Sequence, residues 1–357
     1  MEGLERIRYW LKEQGYDGII LSRRDNYTWI TKGNTNHVVQ NCEVGVAALF
    51  IRENTVDIIA DSSDSARIAK EQNSLEGNRV LVHWYESMEE FLADYLKNLN
   101  VVSDTGVAGT RNVQKELVTL RMQLTEEDLK NYQMIGAQCA GIVEQICKEA
   151  KPGQRENEIA NRLRILCIEK GISPDCVLVG ADDRILNYRH PMPTDKRIEK
   201  SLLCVLGGEK RGLNISLTRM VYFAPVPEEL QEKYEKLRYI FACMQLVMKE
   251  GMSYSEYFGK IEKLYEEAGY KDEWKLHHQG GPTGYGCREF IVKPSTKGCI
   301  HAGQAYAWNP TITGVKCEET TFLGKDGLLT FTRTKEWPRK TIATPYGDFD
   351  VADILQR

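Results

Sequence analysis

The sequence predicts an α+β protein of two domains, a small α/β domain followed by a larger domain with helices on one face of an antiparallel sheet. Three observations support this prediction. The chain has 357 residues, more than one domain usually contains. Helical and strand-like patterns alternate through residues 1–120, which is typical of an α/β domain with one mixed sheet. Beyond that point pairs of helices alternate with groups of strands, which favours an α+β arrangement.

Composition and charge exclude several classes of function. The chain is 42% hydrophobic and 27% charged, and its net charge of −4 comes without a basic run, so we expect no nucleic-acid partner. The longest apolar run, residues 44–51, is too short to span a bilayer, and the first residues lack an apolar signal core. We therefore expect no membrane association and a cytoplasmic location. The ten cysteines are scattered without a CxxC motif and are expected to be free thiols.

The N-terminal elements follow from apolar periodicity. Leu4, Ile7, Trp10 and Leu11 lie on one face of a predicted first helix. The other predicted elements are a strand at 16–21, a helical turn at 25–30, a hairpin of 44–51 and 55–60, a helix at 64–72, a strand at 79–84 and a helix at 87–98. The polar loop 31–37 joins two of these elements and is either an ordinary connection or a segment that reaches a ligand.

The second domain begins inside a long helical pattern. Residues 117–150 are helical, and Thr125-Glu126-Glu127 is a helix-start signal within them. We take this signal as the domain boundary and predict domains 1–122 and 123–357. The further predicted elements are helices at 156–170, 227–250 and 253–268, and strands at 176–180, 202–206, 213–223, 305–308, 316–322 and 328–331.

One stretch, residues 277–289, carries the strongest functional signal. It contains two of the six histidines side by side, followed by four glycines and an Arg-Glu pair. Glycines allow the backbone to approach a ligand closely, and imidazoles with a guanidinium suggest a binding surface for something small and polar. The alternative is an ordinary glycine-rich surface loop.

Five motifs in the same order resemble the creatinase, prolidase, aminopeptidase P and methionine aminopeptidase superfamily, which has the pita-bread fold. The motifs are Lys151-Pro152-Gly153 with residues 156–160, Arg189-His190-Pro191, the hairpin 203–222, residues 303–314 and residues 315–320. The resemblance covers essentially the whole chain, because the small domain in front resembles the creatinase-type N-terminal domain. It implies a C-terminal pita-bread domain and a homodimer.

The resemblance also implies metal ligands that are missing here. Active peptidases of this fold hold two divalent metals with two Asp, one His and two Glu. The matching positions are Val205, Ser216, Gly281, Asn309 and Glu318, and only Glu318 keeps a ligand. We therefore expect no two-metal site and no cofactor. A single metal on His277, His278 and Glu318 is disfavoured, because adjacent side chains usually point apart.

By its similarity to creatinase, the chain is expected to be a metal-independent hydrolase, or a lyase, that acts on a C–N bond of a small polar substrate. The predicted catalytic residues are His190 as general acid/base, with Glu318 and His277. The predicted substrate-binding residues are His278, Arg288, Asn309 and Lys316, with Asn36 and His37 from the N-terminal loop. A buried Glu318 needs a cationic partner, for which Lys316 is a candidate.

Two alternatives remain at this stage. One is a pseudo-peptidase that has lost catalysis and serves as a binding module. The other is a metal-dependent Xaa-Pro dipeptidase or aminopeptidase, which the fold alone suggests.

Overall fold

The computed structural model describes residues 2–357, which form two compact units, Met1–Thr125 and Glu126–Arg357. Met1, with which the predicted N-terminal domain begins, lies outside the described residues. The division into domains 1–122 and 123–357 stays a prediction about which parts of the chain fold independently.

The first unit is a mixed sheet with short helices, as predicted. Its strands are β1 (Gly18–Arg23), β2 (Val44–Ile51), β3 (Val56–Asp61), β4 (Asn78–Val82), β5 (Val101–Ser103) and β6 (Arg111–Asn112). Its helices are α1 (Gly3–Gln14), α2 (Arg24–Ile30), α3 (Ser65–Glu71), α4 (Met88–Tyr95) and α5 (Gln114–Arg121), with a 3₁₀ turn at Val107–Gly109. The strand order is β4-β3-β2-β1-β5-β6. β1 runs antiparallel to β2 and parallel to β5, and the first four residues of this central strand are apolar and buried.

The second unit contains the longer helices and most of the strands. Its helices are α6 (Glu126–Glu149), α7 (Glu156–Glu169), α8 (Asp183–Asn187), α9 (Glu228–Leu246) and α10 (Tyr254–Glu267), with a 3₁₀ helix at Glu273–Leu276. Its strands are β7 (Ser173–Ala181), β8 (Ser201–Lys210), β9 (Leu213–Tyr222), β10 (Gly280–Thr283), β11 (Gln304–Trp308), β12 (Thr311–Ile312), β13 (Val315–Lys316), β14 (Glu319–Gly324), β15 (Gly327–Thr330), β16 (Arg339–Thr344), β17 (Gly347–Ala352) and β18 (Leu355–Gln356).

Two four-stranded sheets organise this unit. One has the order β18-β9-β8-β7, and the other has the order β10-β11-β14-β15. Neighbouring strands are antiparallel, apart from the short parallel pair of β18 and β9. Helices α6 and α7 pack against the first sheet, and α9 packs against the hairpin of β16 and β17. This architecture confirms the predicted α+β class.

Several elements differ from the prediction, among them the short strands β5, β6 and β10, which were not predicted. The helical pattern at 117–150 is two helices, because α5 ends at Arg121 and α6 starts at Glu126. The hairpin of β16 and β17 was not predicted, since most residues of β16 are exposed or half-buried and polar and therefore lack a clear apolar alternation. In the described part of the chain, no helix combines the length and the apolar character that crossing a bilayer requires.

Candidate functional site

The predicted site residues of the second unit come from separate loops and strand ends. His190 lies in the loop after α8, and His277 and His278 follow the 3₁₀ helix. Arg288 lies beyond the end of β10, while Lys316 ends β13 and Glu318 precedes β14. These residues form two clusters, which we describe in turn.

The histidine cluster consists of His190, His277 and His278. The Nε2 atoms of His190 and His277 are 3.0 Å apart, at hydrogen-bond distance. The rings of His277 and His278 stack with their centroids 4.5 Å apart. The expectation that these adjacent side chains point apart is therefore wrong, and three imidazoles face one another.

A hydrogen-bonded clamp positions the loop of His190. The Arg189 guanidinium donates to the carboxylate of Glu273 at 2.6 Å and to the hydroxyl of Thr313 at 2.8 Å. The Thr313 hydroxyl also donates to Glu273, at 2.7 Å. Because Glu273 begins the 3₁₀ helix that leads into His277, this clamp joins the two chain segments that supply the imidazoles.

The side chains of Gln279 and Tyr265 hold the backbone of His277. Gln279 is fully buried, and its amide donates to the carbonyl oxygen of His277 at 2.7 Å. The Tyr265 hydroxyl donates to the side-chain oxygen of Gln279 at 2.9 Å. The ring of His277 is consequently carried by a rigid backbone.

The ion-pair cluster consists of Lys316, Glu318 and Arg288. The Lys316 ammonium is 3.0 Å from Glu318 Oε2, and the Arg288 guanidinium is 3.1 Å from Oε1. The Thr218 hydroxyl donates to Oε2 at 2.7 Å. Glu318 thus has the cationic partner that we expected in Lys316 and a second one in Arg288.

Burial and charge set the protonation of both clusters. Burial opposes ionisation of Glu318, but the charges of Lys316 and Arg288 outweigh it and lower the pKa of this carboxyl to about 2. Burial, reinforced by Lys316, lowers the pKa of His277 to about 2. Burial and the charge of Arg288 lower the pKa of His278 to about 4, and burial also lowers the pKa of His190. At neutral pH the imidazoles are therefore neutral and Glu318 is ionised.

The positions that match the family's metal ligands are occupied by other contacts. Val205 is packed in the apolar core opposite Thr218. The Ser216 hydroxyl accepts a hydrogen bond from Arg288 at 3.0 Å. A Cβ atom at Gly281 would overlap the carbonyl oxygen of Phe290, so this backbone has no room for an imidazole. The residues present do not fit a two-metal site at these positions.

Asn309, Asn36 and His37 each have hydrogen-bond contacts of their own. Asn309 is buried, its backbone N–H donates to Gln279, and its Oδ1 has no hydrogen-bond partner among the described residues. Asn36 is buried in the first unit, where its amide donates to the carbonyl oxygens of Ser22 and Ala47. His37 pairs through Nδ1 with the Thr35 hydroxyl. The substrate-binding roles of Asn36 and His37 stay predictions.

Sequence reasoning missed the residues that support the site. Thr218 and Ser216 contact the ion-pair cluster, and Arg189 with Glu273 positions the histidines. The signal for Ser216 and Thr218 was available, because both lie on the strand β9 that the resemblance aligned. No local pattern indicates the Arg189–Glu273 pair, whose members are 84 positions apart.

The chain was compared with known families and structures. The model of Metallopeptidase family M24 matches residues 130–326. A curated relative, the Xaa-Pro dipeptidase of Lactobacillus delbrueckii subsp. lactis, is 24% identical over 238 residues, which is 64% of this chain and 64% of that protein. The chain thus matches just under two thirds of the length of this relative.

Solved structures show the same fold. The prolidase from Pyrococcus horikoshii OT3 matches with a TM-score of 0.79 at 18% identity. The match covers 93% of this chain and 98% of the prolidase chain. The Xaa-Pro dipeptidase from Bacillus anthracis has a TM-score of 0.76 at 17% identity and covers 99% of both chains. At these identities the likeness concerns the fold, and it confirms the predicted pita-bread architecture.

These findings correct the predicted function. A metal-independent, creatinase-like hydrolase or lyase is contradicted by the match to a metallopeptidase family and by a relative named as an Xaa-Pro dipeptidase. The correction includes the metal-free mechanism in which His190 is the general acid/base. The metal-dependent Xaa-Pro peptidase, which the sequence left as an alternative, is better supported.

Proposed function

The chain belongs to metallopeptidase family M24, a family of hydrolases, and from this premise we propose that it hydrolyses Xaa-Pro dipeptides in a metal-dependent reaction. The observation that carries the proposal is the extent of the family match. Residues 130–326 include both clusters, from His190 to Glu318. The name of the curated relative supports the same substrate class.

The charges of the ion-pair cluster suit a dipeptide. Lys316 and Arg288 carry two positive charges and Glu318 one negative charge, and the side chains of Lys316 and Glu318 are each only 4% exposed. A buried site with an excess of one positive charge favours an anionic group, and a dipeptide has a free carboxylate. We therefore assign carboxylate recognition to Lys316 and Arg288.

The reaction is a hydrolysis in which water adds to the carbonyl carbon, the C–N bond before proline breaks, and the nitrogen of proline takes a proton. The positions that match the family's ligands do not fit two metals, so the water is not activated by a metal pair there.

A dipeptide panel tests the proposal. The protein is incubated with Ala-Pro, Leu-Pro, Ala-Ala and Pro-Ala, each with added Zn²⁺, Mn²⁺ or Co²⁺, and amino-acid release is measured by chromatography. We expect kcat/KM for the Xaa-Pro substrates to exceed that for Ala-Ala by at least about tenfold, and we expect a chelator to abolish the activity.

Two results would contradict the proposal. The first is no proline release with any of the three metals. The second is an equal rate for Ala-Ala. If calorimetry showed dipeptide binding without turnover, the chain would be the binding module that the sequence left as an alternative.

A further inference from the structure

The histidine cluster has the dimensions of a metal site. One ring nitrogen from each of His190, His277 and His278 lies within 4.8 Å of the other two. Tetrahedral Zn²⁺ with Zn–N bonds of about 2.0–2.1 Å holds its ligand nitrogens about 3.3 Å apart. The 3.0 Å between Nε2 of His190 and Nε2 of His277 is already close to this separation. The third nitrogen, from His278, lies within 4.8 Å of both.

Among the described residues, two ring nitrogens of the cluster have no hydrogen-bond partner. His277 is only 7% exposed, and its Nδ1 has no hydrogen-bond partner among residues 2–357. Nδ1 of the half-buried His278 is likewise without a partner in the described structure. A buried polar atom without a partner costs about 1–3 kcal/mol. A bound cation would take the Nδ1 lone pair of His278, whereas His277 would offer the cation the Nε2 atom that faces His190 and keep its ring proton on Nδ1.

The retained carboxylate is not available to the same ion. Both oxygens of Glu318 are engaged, Oε1 by Arg288 and Oε2 by Lys316 and Thr218. The one uncompensated positive charge of the ion-pair cluster opposes a cation at the histidines. An anionic fourth ligand, such as hydroxide or a substrate carboxylate, would offset that charge.

We propose that His190, His277 and His278 bind one transition-metal ion of the Zn²⁺ class, at a place distinct from the family's two-metal positions. Imidazole suits Zn²⁺, Co²⁺, Ni²⁺ and Cu²⁺, whereas Mg²⁺ and Ca²⁺ prefer oxygen ligands. Three protein ligands leave a position open for water, as in catalytic zinc sites. The inference deepens the proposed metallopeptidase function, but its test measures metal binding itself.

Direct titration tests the site. Metal-stripped protein is titrated with Co²⁺, followed by visible absorption, and with Zn²⁺, followed by calorimetry. We expect the protein to bind one equivalent of either ion. The Co²⁺ form should show the visible absorption of a four- or five-coordinate site. We expect His190→Ala, His277→Gln and His278→Ala each to weaken binding by at least about tenfold. The exposed His301 and His83 lie outside the cluster, so His301→Ala and His83→Ala serve as matched controls with unchanged binding.

Several outcomes would overturn the inference. These are no binding by the folded protein, binding that the three variants leave unchanged, and binding that Glu318→Gln abolishes while the cluster variants retain it. Circular dichroism establishes that each variant is folded. One equivalent of metal without dipeptide turnover would refute the proposed function and keep the metal site. Dipeptide turnover without metal binding at the histidines would refute the metal site and keep the proposed function.

Discussion

Glu318 shows how one residue sets the charge of the site. Its carboxylate is the single family ligand that remains, and two cations and a hydroxyl hold it. A buried carboxylate with such partners is ionised well below its ordinary pKa. The residue that the family uses for a metal is here one member of an ion-pair cluster.

The lowered pKa of Glu318 predicts acid sensitivity. A folded pKa of about 2, against an ordinary 4.5, means that its stabilisation is fully present above pH 4.5 and is lost as the pH falls towards 2. The loss amounts to about 3 kcal/mol. Urea unfolding at pH 7 and pH 3 measures the part of this loss that occurs above pH 3, about 2 kcal/mol. Glu318→Gln should show a smaller decrease between these two pH values than the wild type. Equal decreases would contradict the assignment.

Gly281 predicts a second effect at the scale of a residue. Because a Cβ at this position would overlap the carbonyl oxygen of Phe290, Gly281→Ala should destabilise the protein by about 1–3 kcal/mol. Gly141 in α6 has open space around it, so Gly141→Ala should instead stabilise the protein by about 0.5–1 kcal/mol. Thermal unfolding of both variants measures these changes in stability. A Gly281→Ala variant as stable as the wild type would contradict the steric argument.

At the scale of elements, a buried ion-pair network joins four elements of the second unit. Arg219 of β9 is fully buried and lies 3.0 Å from Glu144 of α6 and 3.3 Å from Glu319 of β14. Arg339 of β16 also contacts Glu319, at 3.1 Å. The network connects the helix layer to both sheets on which the site is built.

Breaking this network should lower the free energy of unfolding much more than breaking a surface ion pair does. Arg219→Met leaves two buried carboxylates without this partner and should lower the free energy of unfolding by about 3–5 kcal/mol. Lys271 and Glu266 form an exposed pair, so Lys271→Met should change it by less than about 1 kcal/mol. Urea unfolding measures both variants, and similar losses would contradict this role of the network.

The elements also show what the sequence could and could not predict. Strands β2, β3 and β9 carry clear apolar runs, and their positions were predicted closely, whereas β8 was predicted at half of its length. The resemblance aligned His190, His277, Lys316 and Glu318 along the chain, and the structure brings them into two clusters. The stacking of His277 on His278 depends on side-chain torsions, and the Arg219 network depends on pairs 75 and 100 positions apart. Neither leaves a local pattern.

At the scale of the whole molecule, the homodimer that the resemblance implies stays a prediction. The segment 38–44 of the first unit exposes Val38, Val39 and Val44, with exposed fractions of 60%, 65% and 48%. Apolar side chains exposed together are typical of an interaction surface. A second copy of the chain is the partner that we expect to cover them.

Sedimentation equilibrium checks the dimer. The expected mass is twice that of the chain, and Val38→Asp with Val39→Asp should shift the equilibrium towards the monomer. Tyr9 on α1 is similarly exposed, at 59%, so Tyr9→Ser serves as a control that leaves the mass unchanged. A wild-type protein that sediments as a monomer at micromolar concentration would refute the prediction.

The ion-pair cluster also has an exposed thiol beside it. Of the ten free cysteines, all within the described residues, Cys287 is the exposed one, and its carbonyl oxygen accepts a hydrogen bond from the guanidinium of the adjacent Arg288. A thiol-directed fluorophore would therefore attach beside a group that we assign to substrate recognition. Its emission could report ligand occupancy in real time, and electrophilic fragments that modify Cys287 would offer a route to covalent inhibitors.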